Sequence, residues 1–296
     1  LFRDQGNSGY FRDTGDPATT EGGKIEWGYY ETDNPVLVTA NDIAEPGESR
    51  MSPSMRELSL EQVLEPMEKA MALVPLLGEL GYEDRRSFNG LLSVTADGGS
   101  LIGEAPEISG LWFAEAVWVK DGPGVGKVVA DWMTKGSPEY DPYGIDIARF
   151  YPEQKQDDYV FGRCGEIAKK VYTPAVHPRE PFETGRQLFK SPFYEREVAL
   201  GGYFMEAAGW ERAHGYAANE PTLLAKYRDQ IPQRMNEWDS RHFWEVSNAE
   251  QLALSDDVGM VNLSHFAIYD IDGQSAEPLL EYLAVAKVGG ATQVGK

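Results

Sequence analysis

The sequence predicts a protein of the α+β or mixed α/β class, in which short antiparallel strands alternate with amphipathic helices. Three observations indicate this class. Aromatic and polar residues alternate between Gly, Asp and Pro turns in the first 40 positions. Apolar residues recur at helical spacing from Leu60 to Val74. An apolar run at Gly110–Val119 leads through a glycine-rich turn into a second helical pattern.

The length, charge and cysteine content limit the possible functions. The 296 residues suffice for two domains or three small ones. The 48 acidic residues exceed the 27 Lys and Arg, for a formal net charge of -21. Such a surface repels nucleic acid and anionic membranes, so neither is an expected partner. Cys164 is the single cysteine, which excludes an intramolecular disulfide framework, and we interpret it as a structural thiol.

The hydropathy, the two ends of the chain and its composition indicate where the protein is located and whether the chain is a segment of a longer one. No stretch approaches the roughly 18 apolar residues that a membrane span needs, and we expect no signal peptide. Because the chain begins at Leu1 and stops at Lys296 after a glycine-rich run, we expect it to be a segment of a longer protein. Its acidic composition favours a cytoplasmic location, with the mitochondrial matrix as the alternative.

The first elements in chain order are short strands and then a helix. Turn residues separate predicted antiparallel strands at Tyr10–Arg12, Ile25–Tyr30 and Val36–Val38. Residues 41–56 are polar and predict a loop. A helical pattern then runs from Ser59 to Pro75, and we expect Pro66 to kink it or to divide it into two helices.

Strands resume at Phe88–Val94, Leu101–Gly103 and Gly110–Val119, the last of which we expect to be buried. The turn at 122–126 follows, and apolar residues after it predict a helix that ends near Gly136. A phosphate-binding loop is excluded, because it would need Ser or Thr after its lysine and a glycine where Asp121 stands. The glycines therefore either allow tight packing of strand on helix or expose backbone N–H groups to a cofactor.

The second half of the chain predicts further helices and strands. Helices are expected at Tyr159–Val171, after residue 194, within 221–257 and from Ser275. Alternation predicts a strand at Phe266–Ile271. The histidines do not have the spacing of a metal site, and no metal is expected; they are His177, His214, His242 and His265.

Several strings, taken in order, resemble the family of dimethylglycine oxidase, dimethylglycine dehydrogenase and sarcosine dehydrogenase. Their order and spacing match that family across nearly the whole chain, which makes the series specific to the family and less specific to the substrate. The strings are Phe88–Val94, Thr95–Pro106, Ala114–Val119, Asp146–Phe150, His177-Pro178, Ser191–Tyr194 and Gly209–Arg212.

The resemblance implies three parts. Residues 1–136 resemble the C-terminal part of a flavin amine-oxidase (DAO-type) domain, and residues 137–192 resemble the central or linker domain of that family. Residues 193–296 resemble the start of an aminomethyltransferase-like, folate-binding domain similar to the glycine-cleavage T-protein. The implied cofactors are FAD and tetrahydrofolate, and most of the FAD fold and of the folate pocket would lie outside this chain.

The resemblance also implies an activity, which is FAD-dependent oxidative demethylation of an N-methyl amino acid. N,N-dimethylglycine and sarcosine are the candidate substrates, and the one-carbon unit would pass to tetrahydrofolate. The electron acceptor, oxygen or an electron-transfer protein, stays open, as does assembly into a homo-oligomer. Two alternatives remain, an aminomethyltransferase-like protein and a noncatalytic subunit or scaffold, each with a flavin half that does not work.

Candidate site residues follow from the same resemblance. One turn should approach the flavin ring, and within it Lys120 is the candidate substrate anchor or flavin neighbour, with a solvated lysine as the alternative. Family members often carry Thr-His-Ser-Ala at 120–123, so this chain departs from the family there. Tyr10 matches a tyrosine that lines the substrate site, and Tyr30 is a second candidate; sheet packing is the alternative for both. The turn consists of Val119, Lys120, Asp121, Gly122, Pro123 and Gly124.

Overall fold

The computed structural model describes residues 1–19, 22–33, 35–43, 52–83, 86–172, 180–236, 243–285 and 287–289. Within these ranges the chain forms nine β-strands and eight α-helices, which confirms the mixed class. Every pair of strands in them is antiparallel. The predictions for His177, His242 and residues 44–51 concern positions outside these ranges.

Within the described residues, the N-terminal sheet consists of three strands, β1 (Phe2–Asp4), β2 (Gly9–Asp13) and β3 (Ile25–Tyr29). Their order in the sheet is β1-β2-β3. The register places Tyr10 opposite Arg3 on one side and opposite Gly28 on the other. The predicted strand Val36–Val38 does not form, because no strand in the described part of the chain pairs with it.

A single long helix, α1 (Leu60–Leu73), passes through Pro66. The division into two helices at this proline is therefore wrong. Proline cannot donate to the carbonyl four residues before it, and the hydroxyl of Tyr29 donates to that carbonyl, at Gln62, over 2.8 Å. The neighbouring elements are α2 (Leu76–Leu80) and the paired strands β4 (Met55–Glu57) and β5 (Phe88–Gly90).

Next along the chain, the hairpin of β6 (Leu101–Glu104) and β7 (Trp112–Glu115) leads into α3 (Gly122–Lys135). The helix ends as predicted at Gly136, whose φ of 82° lies in the left-handed region that glycine tolerates. The expectation of a buried strand at Gly110–Val119 is wrong, because β7 pairs only with β6 among the described strands and its residues are half-buried or exposed.

The remaining elements begin with the predicted helix at 159–171. The elements are α4 (Asp157–Val171), α5 (Tyr194–Ala199), β8 (Gly202–Ala207), β9 (Trp210–Tyr216), α6 (Glu220–Tyr227), α7 (Trp244–Asp256) and α8 (Ala276–Leu283). Strands β8 and β9 form a hairpin, and a bridge between Phe189 and Trp210 joins the preceding segment to it.

The predicted strand Phe266–Ile271 is not formed. Ile268 and Tyr269 are 90% and 83% exposed, and in the described ranges no strand lies beside them. Alternation of apolar and polar residues produces a strand only where one face is covered and the backbone groups find partners.

Two buried ion pairs connect α4 and its following loop to the β8–β9 hairpin. Arg163 lies 2.6 Å from Glu206, with both side chains 3% exposed. Arg186 lies 2.5 Å from Glu211, whose side chain is fully buried. Residues on either side of position 192 thus share one interior.

Cys164 lies in a small core with Ala96 and Tyr159. Burial raises the pKa of its thiol, which agrees with a structural role. No helix in the described part of the chain is long and apolar enough to cross a membrane.

Candidate functional site

The turn that begins α3 is open. In the described structure, a Cβ added at Gly122, Gly124 or Gly126 would meet nothing within 4 Å, so tight packing of strand on helix does not explain these glycines. Asp121 is the N-cap residue, but its side chain makes no capping hydrogen bond. Pro123 has no N–H group, so Gly122 and Gly124 supply the backbone donors at this positive helix end.

Lys120 is engaged by a carboxylate within the same turn. Its Nζ lies 2.6 Å from Oδ2 of Asp121 and 5.6 Å from the ring centroid of Trp118. Both partners of the ion pair are substantially exposed, so it contributes little to stability. Val119, beside them, is 98% exposed. The turn therefore presents a neutralised pair and an uncovered apolar side chain.

Four aromatic side chains form a continuous group that we call the aromatic column: Tyr10, Tyr30, Tyr172 and Trp118. The ring centroids of Tyr10 and Tyr30 are 5.6 Å apart. Tyr30 and Tyr172 are stacked at 3.6 Å, and Tyr172 and Trp118 are stacked at 5.8 Å. Lys120 lies beside the last ring. The fold thus brings Tyr10, Tyr30 and Lys120 to one column. Tyr172 and Trp118, which were not predicted as site residues from the sequence, connect them.

Local contacts hold the column in place. Tyr10 lies across the backbone of Gly28, its cross-strand partner, where any side chain would collide with the phenol. Ser8 is 3% exposed, and its hydroxyl donates to the carbonyl oxygen of Tyr172 over 2.9 Å. The N–H of Tyr30 donates to the carbonyl of Ser8 over 3.0 Å. Ser8 therefore joins both members of the stacked pair.

Trp118 is fixed from the other side, because its Nε1 donates to the carbonyl oxygen of Ser93 over 2.9 Å. A sequence signal for Trp118 existed, since it lies within the string Ala114–Val119. No sequence signal pointed to Tyr172, which follows the last residue of α4 and meets the sheet only through tertiary packing.

The phenol groups of Tyr10 and Tyr172 stay protonated at neutral pH. Burial, with the neighbouring Tyr30, raises the pKa of Tyr10. Burial, reinforced by the hydroxyl of Tyr30, raises the pKa of Tyr172 to about 12. Protonated phenols can donate hydrogen bonds to an anion.

A separate apolar cavity of about 460 Å³ lies between the β6–β7 hairpin and α4. Its wall includes Leu101, Phe113 and Phe150, with Lys155 among its polar groups. Asp97, in the turn beside it, accepts from Nε and Nη2 of Arg149 over 2.6 and 2.8 Å. The ion-paired carboxylate of Asp97 therefore stabilises the conformation of this turn.

The histidines that the structure describes are not grouped. His214 packs against Phe243 and His265 packs against Phe266. Among the described residues there is no group of three or more His, Cys, Asp or Glu that could hold a metal ion.

Comparison with known proteins identifies two domains in chain order. Residues 135–191 match the FAD dependent oxidoreductase central domain, and residues 193–296 match the GCVT N-terminal domain. Together the two matches cover more than half of the chain.

Several curated proteins are similar over longer stretches. A 4-methylaminobutanoate oxidase (formaldehyde-forming) from Paenarthrobacter nicotinovorans is 29% identical over 97% of this chain and 32% of its own length. The mitochondrial sarcosine dehydrogenase of Homo sapiens is 30% identical over 58% of this chain and 19% of its own length. The mitochondrial pyruvate dehydrogenase phosphatase regulatory subunit of Mus musculus is 28% identical over 64% of this chain and 21% of its own length. The chain spans about a third or less of these relatives.

Proposed function

Since the chain belongs to the dimethylglycine and sarcosine dehydrogenase family, in which an FAD-dependent oxidoreductase is joined to a GCVT domain, we propose that its protein catalyses the oxidative demethylation of an N-methyl amino acid. The matched domains imply FAD and tetrahydrofolate as cofactors. The observation that carries the proposal is the aromatic column, which joins Tyr10 and Tyr30 to the open turn at Lys120.

The open turn fits an electron-rich cofactor edge. The N–H groups of Gly122 and Gly124 stand at the positive end of α3 without a side-chain cap, and no described side chain fills the space beside these glycines. Such a helix end favours a carbonyl or an anion. The flavin, when bound, supplies the two-electron acceptor. Val119, Asp121 and Pro123 complete the turn that would hold it.

The column suits the substrate side of this chemistry. Its phenols are hydrogen-bond donors for a carboxylate, and its ring faces and edges exclude water from a methylated amine. Lys120 stands between the column and the glycine turn, where it is the candidate anchor or flavin neighbour. The substrate is a small methylated amino acid, and dimethylglycine, sarcosine and 4-methylaminobutanoate are the compounds to test.

We divide the chain at residues 136/137 and 192/193, into a flavin-domain part, a central domain and a GCVT part. The ion pairs Arg163–Glu206 and Arg186–Glu211 cross the second boundary, so the central domain and the GCVT part share a buried interface. This contact supports transfer of the one-carbon unit to tetrahydrofolate within the same protein. A cytoplasmic location, with the mitochondrial matrix as the alternative, belongs to the same proposal.

The visible absorbance spectrum of the full-length protein tests this function. Under anaerobic conditions, flavin bands that bleach on addition of one of the three methylated amino acids are the expected result. Bands that persist with all three would overturn the assigned substrate class. A protein that binds no flavin when supplied with FAD would overturn the oxidoreductase itself.

A noncatalytic role is the second candidate. One of the similar proteins is named a regulatory subunit, and the Lys120–Asp121 pair stands where this chain departs from the family string. A subunit of that kind would keep the fold for interaction. It predicts no substrate-dependent bleaching, so the same spectrum separates it from the enzyme.

A further inference from the structure

Arg3 reaches the aromatic column from the edge strand of the N-terminal sheet. Its Cζ lies 5.1 Å from the ring centroid of Tyr30 and 5.2 Å from that of Tyr172. The two rings are 3.6 Å apart with an interplanar angle of 3°. A point equally far from two such rings lies beside their edges and not above either face. The guanidinium therefore flanks the stack.

Among the residues that the structure describes, Arg3 has no carboxylate partner, unlike Arg12 and Lys120. Its Nε donates a hydrogen bond to Oε1 of Gln5 over 3.1 Å. Arg12, on the neighbouring strand, lies 2.6 Å from Glu26, and Lys120 lies 2.6 Å from Asp121. In a chain with a formal net charge of -21, an arginine without such a partner is available to an external anion.

The phenol groups beside Arg3 face one another closely enough to interact. The charge of Arg3 and the hydroxyls of Tyr10 and Tyr30 each influence the ionisation of Tyr172. Tyr30 influences the ionisation of Tyr10 in the same way. Tyr10 stands opposite Arg3 in the sheet register, and its ring centroid lies 5.6 Å from that of Tyr30. The three phenols and the guanidinium therefore lie close together, and every one of these groups can donate a hydrogen bond.

We propose that Arg3, with the hydroxyls of Tyr10, Tyr30 and Tyr172, binds the carboxylate of the methylated amino acid. A guanidinium binds a carboxylate through two parallel N–H groups, and neighbouring phenols can occupy the remaining lone pairs. Lys120 is then the flavin neighbour, since Asp121 already neutralises it. This inference rests on the proposed function for the identity of the ligand.

The test uses 3-methylbutanoate, which has the shape and the carboxylate of dimethylglycine but no amine to oxidise. Its dissociation constant is measured by calorimetry on the full-length, flavin-loaded protein. Arg3→Gln should weaken binding by about 10- to 100-fold, as expected for loss of hydrogen bonds from a charged donor. Arg3→Lys, which keeps the charge and loses the fork, should fall between Arg3→Gln and the unmodified protein.

Arg12→Gln is the matched control. It removes the same charge from the same sheet, and both arginines are exposed, but Arg12 is already paired with Glu26, so the dissociation constant should change by less than about twofold. Equal binding of 3-methylbutanoate by Arg3→Gln and by the unmodified protein would overturn the proposal, as would equal losses in the Arg3 and Arg12 variants.

Kinetics separate this proposal from the function on which it rests. With dimethylglycine, Arg3→Gln should raise KM while leaving the bleaching rate at saturation within about threefold. With trimethylamine, which lacks the carboxylate, the variant and the unmodified protein should behave alike. Failure of every amine to bleach the flavin, together with Arg3-dependent binding of 3-methylbutanoate, would reject the demethylation and keep the carboxylate site.

Discussion

The rings of Tyr30 and Tyr172 lie parallel, 3.6 Å apart. Tyr30 directly follows strand β3 of the N-terminal sheet, and Tyr172 directly follows helix α4. This contact makes the column continuous from Tyr10 to Trp118. It also places two phenols beside Arg3 at one edge. The candidate substrate side and the glycine turn are thereby parts of one arrangement.

Removal of the Tyr172 ring should interrupt the column. Tyr172→Ala is expected to lower the free energy of unfolding by about 2 kcal/mol, because a half-buried stacked ring is lost. Tyr172→Phe keeps the stack and should cost less than about 1 kcal/mol. Urea denaturation measures both values. Equal stabilities of the two variants would show that the stacking does not support this part of the fold.

Gly28 should be required for the position of Tyr10. A Cβ at Gly28 collides with the phenol of Tyr10, whereas a Cβ at Gly9 would make ordinary contacts, the nearest at 3.7 Å. Gly28→Ala is therefore expected to raise KM for the methylated amino acid, and Gly9→Ala is its control on the adjacent strand. A KM that rises equally in both variants would contradict a specific role for this close approach.

Lys120→Met should have a smaller effect than Arg3→Gln. Asp121 already neutralises Lys120 in an exposed pair, so loss of the lysine charge is expected to raise KM by about fivefold or less. The comparison is made with the same substrate on the same full-length protein. A larger increase for Lys120→Met than for Arg3→Gln would make Lys120 the carboxylate anchor. Unchanged kinetics would leave Lys120 as a solvated side chain.

The low pKa of Glu166 in the folded protein should make the protein less stable in acid. Burial by itself would raise its pKa, but hydrogen bonds from Lys170, Thr184 and Glu183 outweigh burial and lower the pKa to about 2. Because the folded-state pKa lies below that of the unfolded chain, the stabilisation is present above about pH 4.5 and is lost as the pH falls towards 2. This loss is measured from denaturant midpoints, taken at intervals of about one pH unit from pH 6 to pH 2.

Glu166→Gln should flatten that pH dependence, because the side chain no longer titrates. Glu195→Gln, at an 83% exposed side chain, serves as the control and should retain the slope of the unmodified protein. Parallel pH profiles for Glu166→Gln and the unmodified protein would show that the network around Glu166 does not govern acid stability.

The buried pair of Arg163 and Glu206 should couple the central domain to the GCVT part. Arg163→Met leaves the buried carboxyl group of Glu206 without its guanidinium partner, and is expected to cost about 3–5 kcal/mol. Adding Glu206→Met to that variant should recover part of the loss. A double-mutant cycle on unfolding free energies measures the coupling. Additive losses would mean that each side chain is stabilised by other groups.

Local sequence pattern predicted much of the helical structure, and the reasons are physical. The apolar spacing and the glycine at 136 determine α3, because both act within a few residues of one another. Predictions failed where distant partners decide the outcome. Pro66 was expected to kink its helix or to divide it, and the division does not occur, because Tyr29 from β3 donates to the carbonyl to which the proline cannot donate. Phe266–Ile271 alternates like a strand, but no described strand covers it.

By itself, the sequence predicted most of the helices and several of the hairpin strands, indicated the family, and suggested two tyrosines and one lysine as candidates for the site. Only the tertiary structure decided that these three residues meet, because Tyr172 and Trp118 connect them. The Ser8–Tyr172 hydrogen bond that secures this meeting joins residues 164 positions apart. Periodicity reports which face of an element is apolar, whereas the partner of that face depends on how the whole core packs.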